Sequence, residues 1–433
     1  MKFHDVAWYC EFLSKNKFNA IRLLFNHKAV LDDAVVDPSW PNAHSVTRAG
    51  QNTYLQMFLA ISKIAARHGL LVMMACHRLD STSWPGKGLW YDNSIGIDEQ
   101  AVMRSWRKIA AELCAQWNVF AVDIQNEPHA SSWGKGMGVS SDWGKAAERL
   151  GNHILEQCSR WLIMVEGVGY DPGAPGTDAS MGIWWGENMY GVKSQPVKLK
   201  PEFQNKVVYS PHTYGPSVYM QHYFHADNFP YNMQGIWEQH FAFVQQLTGQ
   251  PVVVGEMGGL YTGKDKIWQD SAFEFMRRRG IGLFYFCLNP DSEDTGGILA
   301  ADWTTPNMAK LKALSRIPST ETLHAGQRAP RSPPPCTPPG IDRYGMESHG
   351  TCCEAMCHEE RSKDDPAYSQ YHLITMCRPT CPPSAPSPPL LPGWGCVQGR
   401  DHVSKLRDVN TCSDLPDAVQ VRKEQQSHPL PSP

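Results

Sequence analysis

The sequence lacks a long apolar run and a marked excess of charge of either sign. Its apolar runs, such as Leu70 to Cys76, are far shorter than the roughly 20 residues that a membrane-spanning helix needs. The chain carries 40 basic and 43 acidic residues, for a net charge of -3, whereas a general nucleic-acid-binding protein usually has a basic excess. We therefore expect neither a membrane nor a nucleic acid as a partner.

Two motifs of cofactor and metal chemistry are also missing. No G-x-G-x-x-G follows a strand-like run, which argues against a dinucleotide site in a doubly wound sheet. No H-x-H stands at a strand end, as a metal-dependent barrel hydrolase would require. We therefore predict no metal and no organic cofactor.

What the chain does contain, up to residue 317, is seven short and nearly continuous apolar runs, which are typical of parallel strands covered on both faces. Helix-like segments separate most of them, and this alternation predicts an α/β fold, either a barrel or a doubly wound sheet. The runs begin at Phe18, Leu70, Val119, Trp161, Lys206, Pro251 and Gly282. The helix-like segments are His4 to Lys15, Thr53 to Arg67, Glu99 to Trp117, Ser141 to Cys158 and Trp268 to Arg279.

Polar and ionisable residues stand at the carboxyl ends of most of these runs, which favours the barrel. In a (β/α)8 barrel this end is the catalytic face, and several strands contribute to one site. Only seven runs are found, and the chain opens with a helix-like stretch, so we expect that the first strand, and a signal peptide with it, has been lost before that stretch. The polar residues at the strand ends are Arg22, His77, Asn126, Glu127, His212, Tyr214, Glu256 and Asn289.

Glu127 and Glu256 form a candidate catalytic pair, because both follow buried strand-like runs on the same predicted face. Burial raises the pKa of a carboxyl group, as a general acid requires, whereas neighbouring cations lower it, as a nucleophile requires. Taken singly, each glutamate could equally be a buried ion pair. The His, Tyr, Asn and Arg residues at the other strand ends favour a catalytic pair.

The motifs "FNAIRL", "DIQNEPH", "HTYGPSVY", "GEMGG" and "LNPDSEDTGGIL" resemble those of glycoside hydrolase family 5, the cellulase family. The segments "IWWGENMYGV" and "NFPYNMQGIWEQHF" look like its endoglucanases, and the resemblance covers roughly residues 3 to 316. It implies a (β/α)8 barrel with Glu127 as the acid/base and Glu256 as the nucleophile.

The same resemblance implies roles for the residues around the pair. Asn126 would hydrogen-bond the sugar 2-hydroxyl, Arg22 would keep Glu256 ionised, and Tyr214 would donate its hydroxyl to Glu256. His77 and His212 would hold the sugar, although each could also be a core histidine, as Arg22 could be a structural ion pair. Trp185 matches a substrate-stacking tryptophan, with Trp184 packing beside it. Phe286 stands where the family usually has a tryptophan, and a phenylalanine offers less stacking area and no N–H.

The composition changes near Pro318, where proline-rich stretches begin that favour extended linkers. We predict a catalytic domain over 1–317, a linker over 318–350, a cysteine-rich module over 351–382 and a proline-rich tail over 383–433. Eight of the 13 cysteines lie beyond residue 330, which is typical of a disulfide framework. A zinc site is the alternative, although the cysteine spacing is irregular for one. The cysteines concerned are Cys336, Cys352, Cys353, Cys357, Cys377, Cys381, Cys396 and Cys412.

These observations predict a secreted, monomeric retaining endo-1,4-β-glucanase that acts on cellulose or a related β-glucan. The same chemistry could act on mannan or xylan, because a fold does not determine a substrate. Two alternatives stay open. One is a carbohydrate-binding protein that has kept its groove without catalysis, and the other is an inactive, truncated fragment.

Overall fold

The computed structural model describes residues 4–37, 52–82, 85–134, 138–170 and 182–319, and further along the chain the backbone of six short strands. The chain divides into two compact units, Met1–Thr322 and Leu323–Pro433. In the described residues no helix is long and apolar enough to cross a membrane.

Parallel strands form the centre of the first unit. The first five strands make one sheet in sequence order, the last three make a second, and a parallel bridge between Tyr209 and Val252 joins them. The run from Lys206 contributes two strands, because Ser210 and Pro211 interrupt it and a proline cannot donate to a strand ladder. The strands are β1 (Ala20–Asn26), β2 (Leu71–Arg78), β3 (Val119–Asp123), β4 (Leu162–Val165), β5 (Val207–Tyr209), β6 (His212–Tyr214), β7 (Val253–Gly258) and β8 (Gly282–Tyr285).

Helices follow or precede nearly every strand, and side-chain caps determine where several of them begin. Thr53 and Gln56 form a reciprocal capping box at the third helix, and Asp98 and Asp142 cap the fourth and fifth, which satisfies backbone N–H groups that lack a partner in the first turn. The helices are α1 (Val6–Lys15), α2 (His27–Asp32), α3 (Tyr54–Arg67), α4 (Glu99–Leu113), α5 (Trp143–Gln157), α6 (Met233–Trp237), α7 (Phe243–Thr248), α8 (Gly263–Arg279) and α9 (Met308–Leu314).

The five predicted helix-like segments correspond to α1, α3, α4, α5 and α8, with differences at the ends. Helix α8 begins at Gly263, five residues before the predicted start at Trp268, and α4 ends at Leu113 rather than at Trp117. A π-helical turn, Glu238–Ala242, separates α6 from α7. The alternation of parallel strands and helices is that of a (β/α)8 barrel, and the fold prediction is confirmed.

Two apolar layers position the strands. One cluster of buried residues lies between the strands and the surrounding helices. A smaller one joins Met73, Ala121, Met164 and Val208 from four neighbouring strands. Buried apolar surface contributes roughly 25 cal/mol per Å², so these layers provide the main driving force that brings the strand ends together.

The edge strands β1 and β8 are less covered than the strands between them. Most residues of β1 and β8 are partly exposed, whereas five consecutive residues of β2 are buried. Among the described residues no strand pairs by a hydrogen-bonded ladder with the outer edge of β1 or of β8, although these two strands approach each other. Seven sequence runs therefore supply all of the parallel strands that the structure describes in this unit.

A disulfide between Cys114 and Cys158 links the residues that follow α4 and α5. This pairing was not predicted, because its two cysteines are 44 residues apart and only the packing of the two helices brings them together. The predicted cysteine framework lies beyond residue 330, where the structure describes only the backbone of six strands. These strands are Gly340–Ile341, Glu347–Ser348, Cys353–Glu360, His372–Pro379, Trp394–Gln398 and Ala418–Arg422. The domain bounds and the disulfide framework of this region stay predictions.

Candidate active site

Seven of the eight polar residues predicted from the strand ends lie together in one cluster near the carboxyl edge of the sheet; Asn289 is not among the contacts that define it. Arg22 is the third residue of β1 rather than its end, which corrects its predicted position. Parallel strands in register bring their carboxyl ends to one face, which is why residues far apart in sequence become neighbours here. The cluster contains Arg22, His77, Asn126, Glu127, His212, Tyr214 and Glu256, all predicted, and Asp123 and Glu166, which were not predicted.

Arg22 is the cation at the centre of the cluster, and its side chain is only 5% exposed. The guanidinium donates to Glu256 through Nη1, and Nη2 donates to Asn126 Oδ1 at 2.9 Å. It also donates to Asp123 through Nε at 3.0 Å and to Glu166 through Nη2 at 3.2 Å. The surrounding carboxylates raise the pKa of Arg22 despite its burial, so it is permanently charged.

Glu256 on β7 is held as a carboxylate. The hydroxyl of Tyr214 donates to its Oε2, Arg22 donates to its Oε1, and His77 Nε2 lies 4.0 Å from Oε1. Burial opposes ionisation, but the charges of His212, Arg22 and His77 and the hydrogen bond from Tyr214 together lower the pKa of Glu256 to about 2. A carboxylate that stays ionised can act as a nucleophile.

Glu127 follows β3 in a different environment. Burial raises the pKa of this carboxyl group, and the hydrogen bond and charge of His212 offset the increase only in part. Its backbone lies in the left-handed region, with φ of 45°, although it precedes Pro128 and such residues favour extended backbone. Backbone strain of this kind is concentrated at functional sites.

His212 is fully buried and lies between the two glutamates. Its Nδ1 is 3.1 Å from Glu127 Oε1 and 3.7 Å from Glu256 Oε2, and its Nε2 is 3.0 Å from Glu166 Oε1. Burial opposes its protonation, but Glu166 and Glu256 raise the pKa of His212 well above its ordinary value. His212 thus contacts the carboxylates directly, and its predicted contact with a sugar stays a prediction.

The two candidate catalytic carboxyl groups are close together. One oxygen of Glu127, one oxygen of Glu256 and one nitrogen of His212 lie within 4.8 Å of one another. The pair thus combines a short separation with pKa values shifted in opposite directions.

Asn126 and His77 are neighbours of this pair: Asn126 directly precedes Glu127, and His77 lies 4.0 Å from Glu256. Asn126 is 4% exposed; its Oδ1 accepts from Arg22, and its Nδ2 has no partner among the described residues. A buried donor without a partner is costly, so Nδ2 is available to a ligand. Burial lowers the pKa of His77 to about 4, so its imidazole is neutral near pH 7.

The adjacent tryptophans differ in exposure, and the stacking of Trp185 on a sugar stays a prediction. Trp184 is 8% exposed and packs in the core, whereas Trp185 is 42% exposed. The ring of Trp185 stacks on His129 with centroids 3.8 Å apart and planes 11° apart. His129 is held in turn by its Nδ1, which lies 2.9 Å from the carbonyl oxygen of Glu127. Trp185 therefore presents a supported, exposed ring close to Glu127.

Phe286 follows β8 and lies edge-on to Tyr214, with ring centroids 6.4 Å apart. Because Tyr214 contacts Glu256, Phe286 is close to the candidate nucleophile. Its role as a stacking residue stays a prediction.

Sequence reasoning missed Asp123 and Glu166, which are both fully buried. Glu166 directly follows the fourth apolar run, so the strand-end signal that identified Glu256 could have found it. Burial and the charge of Glu166 raise the pKa of Asp123 well above its ordinary value. Asp123, Glu166 and His212 have the residue types of a metal site, but Arg22 lies within 2.9 Å of Asp123 and 3.2 Å of Glu166 and already supplies the cation.

Comparison with known proteins identifies the family of this chain. The chain matches the cellulase family, glycosyl hydrolase family 5, over residues 6–292. The chain belongs to this family. The prediction of a glycoside hydrolase of the cellulase family in a (β/α)8 barrel is confirmed.

The family 5 chain is similar to several bacterial endoglucanases. It is 36% identical over 315 residues to an endoglucanase of Paenibacillus polymyxa, covering 70% of this chain and 75% of that protein. It is 34% identical over 309 residues to the major extracellular endoglucanase of Xanthomonas campestris, covering 69% of this chain and 60% of that protein.

Solved structures of the cellulase family resemble this chain too. A complex of a Pyrococcus horikoshii endocellulase with cellotetraose has a TM-score of 0.65 and 34% identity, and covers 72% of this chain and 86% of that one. The catalytic domain of the major Xanthomonas campestris endoglucanase has a TM-score of 0.65 and 32% identity, over 72% and 88% of the two chains.

Proposed function

We propose that this chain is a retaining endo-1,4-β-glucanase in which Glu256 is the nucleophile and Glu127 the acid/base. The mechanism is supported by the distance between the two carboxyl groups: one oxygen of Glu127 lies within 4.8 Å of one oxygen of Glu256. Retaining glycosidases hold their carboxyl groups about 5–5.5 Å apart, whereas inverting enzymes leave about 6.5–9.5 Å for a water molecule. The short separation favours double displacement.

The opposite pKa shifts support the assignment of roles. Glu256, with its pKa lowered to about 2, is ionised and can attack the anomeric carbon. Glu127, with its pKa raised mainly by burial, can keep a proton for the leaving oxygen. Two carboxyl groups whose environments push their pKa values apart are the pattern expected of a nucleophile and an acid.

In a double-displacement reaction, each residue around the anomeric carbon has a separate role. Glu256 attacks the anomeric carbon while Glu127 protonates the departing oxygen, which forms a covalent glycosyl-enzyme. Glu127, now ionised, then removes a proton from water, and the water oxygen displaces Glu256 with net retention of configuration. Asn126 Nδ2 would donate to the sugar 2-hydroxyl, and Tyr214 and Arg22 would stabilise Glu256 when it leaves as a carboxylate.

A β-1,4-glucan is the substrate that the relatives favour. The similar proteins are named endoglucanases, and one similar structure is a cellotetraose complex. The exposed ring of Trp185 offers a flat apolar surface of the kind that stacks on a pyranose. Mannan and xylan present a comparable sugar face, and Phe286 in place of the usual tryptophan bears on the choice among them.

Secretion is part of the proposal. The Cys114–Cys158 disulfide fits an oxidising compartment, and one relative is named an extracellular endoglucanase. We propose that the enzyme acts as a monomer on a polysaccharide outside the cell.

The test combines a Glu256→Gln substitution with the configuration of the product. Wild type should release reducing ends from carboxymethylcellulose, and proton NMR should show the β-anomer forming first from a soluble cello-oligosaccharide. Glu256→Gln should bind the oligosaccharide and lose hydrolysis by about 10⁴-fold or more, because the nucleophile is gone. Glu238→Gln, at an exposed ion pair with Arg279, is the matched control and should keep full activity.

Each contrary result would overturn a different part of the proposed function. First formation of the α-anomer would overturn the retaining mechanism, and full activity of Glu256→Gln would overturn the nucleophile. Binding without hydrolysis in wild type would favour the non-catalytic carbohydrate-binding protein. A parallel assay on mannan and xylan decides the substrate.

A further inference from the structure

Glu166 lies directly after β4, and its carboxylate is fully buried at the centre of the cluster. We propose that Glu166 is a positioning residue that holds Glu127 and Glu256 in register with each other. This inference rests on the roles proposed above for those two glutamates. It adds a residue that reaches both of them without itself facing the reacting bond.

The first contact is with the backbone of Glu127. Oε2 of Glu166 accepts a hydrogen bond from the Glu127 N–H at 2.7 Å. Glu127 adopts a φ of 45°, in the left-handed region that residues other than glycine seldom occupy. A charged acceptor on the N–H stabilises this conformation, and the conformation determines where the Glu127 side chain points.

The second set of contacts reaches Glu256 through two intermediates. Oε1 of Glu166 lies 3.2 Å from Arg22 Nη2 and 3.0 Å from His212 Nε2. Arg22 contacts Glu256, and His212 lies 3.7 Å from Glu256 and 3.1 Å from Glu127. One carboxylate therefore contacts the backbone of the acid/base and both cationic neighbours of the nucleophile.

Gly186 shows how closely the chain packs on Glu166. It has a φ of +79°, and a Cβ there would lie 2.9 Å from Glu166 Oε2 and 3.3 Å from the Cβ of His212. A side chain at this position would push the carboxylate and the imidazole away from their partners. The close approach of Gly186 thus constrains the position of Glu166 Oε2.

Asp123 provides a natural comparison, because it is equally buried and also accepts from Arg22, at 3.0 Å. Glu166 differs from Asp123 in two contacts: it accepts a hydrogen bond from the Glu127 backbone, and it lies 3.0 Å from His212 Nε2. If the two acidic side chains serve only to accept hydrogen bonds from Arg22, replacing either by its amide should have a similar effect. If Glu166 positions the catalytic pair, its geometry should matter more than its charge.

The experiment compares Glu166→Asp, Glu166→Gln and Asp123→Asn in the full chain, on a soluble cello-oligosaccharide. Glu166→Asp keeps the charge but retracts the carboxylate, so we expect kcat to fall by about 100-fold, with KM within about threefold, because a misplacement of about 1 Å in a catalytic group can cost about 100-fold. Asp123→Asn should lower kcat by less than about tenfold. In Glu166→Gln the NMR titration of the His212 imidazole should move to lower pH, because its neighbouring anion is gone.

A kcat of Glu166→Asp within about twofold of wild type would overturn the proposal. So would equal losses of kcat in Glu166→Gln and Asp123→Asn together with an unmoved His212 titration in Glu166→Gln. If the Glu166 variants do not fold, Gly186→Ala replaces them, and a wild-type kcat in that variant is the contrary result. Full activity of Glu256→Gln would instead refute the proposed function, so the two failures are distinguishable.

Discussion

The Nδ1 atom of His212 lies 3.1 Å from a carboxylate oxygen of Glu127. The same imidazole is 3.7 Å from Glu256, so one cation lies beside both the candidate acid and the candidate nucleophile. Its charge lowers the pKa of each carboxyl group. Glu256 also has Arg22 and Tyr214 as neighbours, which is why its pKa falls while that of Glu127 remains raised by burial.

The pH dependence of kcat/KM should therefore be bell-shaped, with limbs that His212→Asn displaces. Glu256 must be ionised, so activity is lost as pH falls through its pKa of about 2. Glu127 must be protonated, so activity is lost as pH rises through its raised pKa. Because the imidazolium lowers both values, we expect His212→Asn to move both limbs to higher pH. Initial rates over a pH series on a soluble oligosaccharide measure this.

His77→Asn is the matched control for that series. His77 lies 4.0 Å from Glu256, so its removal should affect the acid limb, which reports Glu256, and leave the alkaline limb in place. An alkaline limb that does not move in His212→Asn would contradict the link between His212 and Glu127.

Trp185→Ala should weaken substrate binding without loss of stability. The ring is 42% exposed and stacked on His129, so its removal exposes little core but takes away an apolar platform. We expect KM for a cello-oligosaccharide to rise about 10-fold, with an unchanged melting temperature. Trp184→Ala is the control: its ring is buried, so the free energy of unfolding should fall by about 3–5 kcal/mol. An unchanged KM in Trp185→Ala would exclude the stacking role.

The Cys114–Cys158 disulfide should contribute stability and leave catalysis unaffected. It closes a segment of 44 residues, and the loss of chain entropy in the unfolded state corresponds to about 4 kcal/mol for a loop of that length. The bond joins the carboxyl ends of α4 and α5, away from the strand ends that carry the glutamates. Replacing both cysteines by serine should lower the melting temperature at an unchanged kcat, and a reducing agent should destabilise only the wild type. Equal melting temperatures of the two proteins would refute the contribution.

Much of the site could be predicted because most of its polar residues directly follow apolar, strand-like runs in this sequence. Asn126, Glu127, Tyr214 and Glu256 each stand at or near the end of an apolar run, and parallel strands in a barrel bring such ends together. Arg22 is instead the third residue of β1, and its long side chain contacts Glu256. Glu166 stands at the end of such a run too but was not predicted, because its function depends on which atoms its carboxylate contacts. The disulfide depends on helix packing, and the sequence contains no sign of which cysteines are neighbours.

The sequence by itself determined the alternation of strands and helices and the identity of the two candidate carboxylates, because those follow from residue type and spacing along the chain. Its motifs also carried the resemblance to the family, which the match over residues 6–292 shows. Only the tertiary structure decided that the pKa of Glu127 is raised and that the pKa of Glu256 is lowered. That difference comes from burial and from the distances to Arg22, His212 and Tyr214, which belong to other strands. It is also the tertiary structure that places Glu166 against the backbone of Glu127, since a contact across 39 residues depends on how β3 and β4 pack side by side.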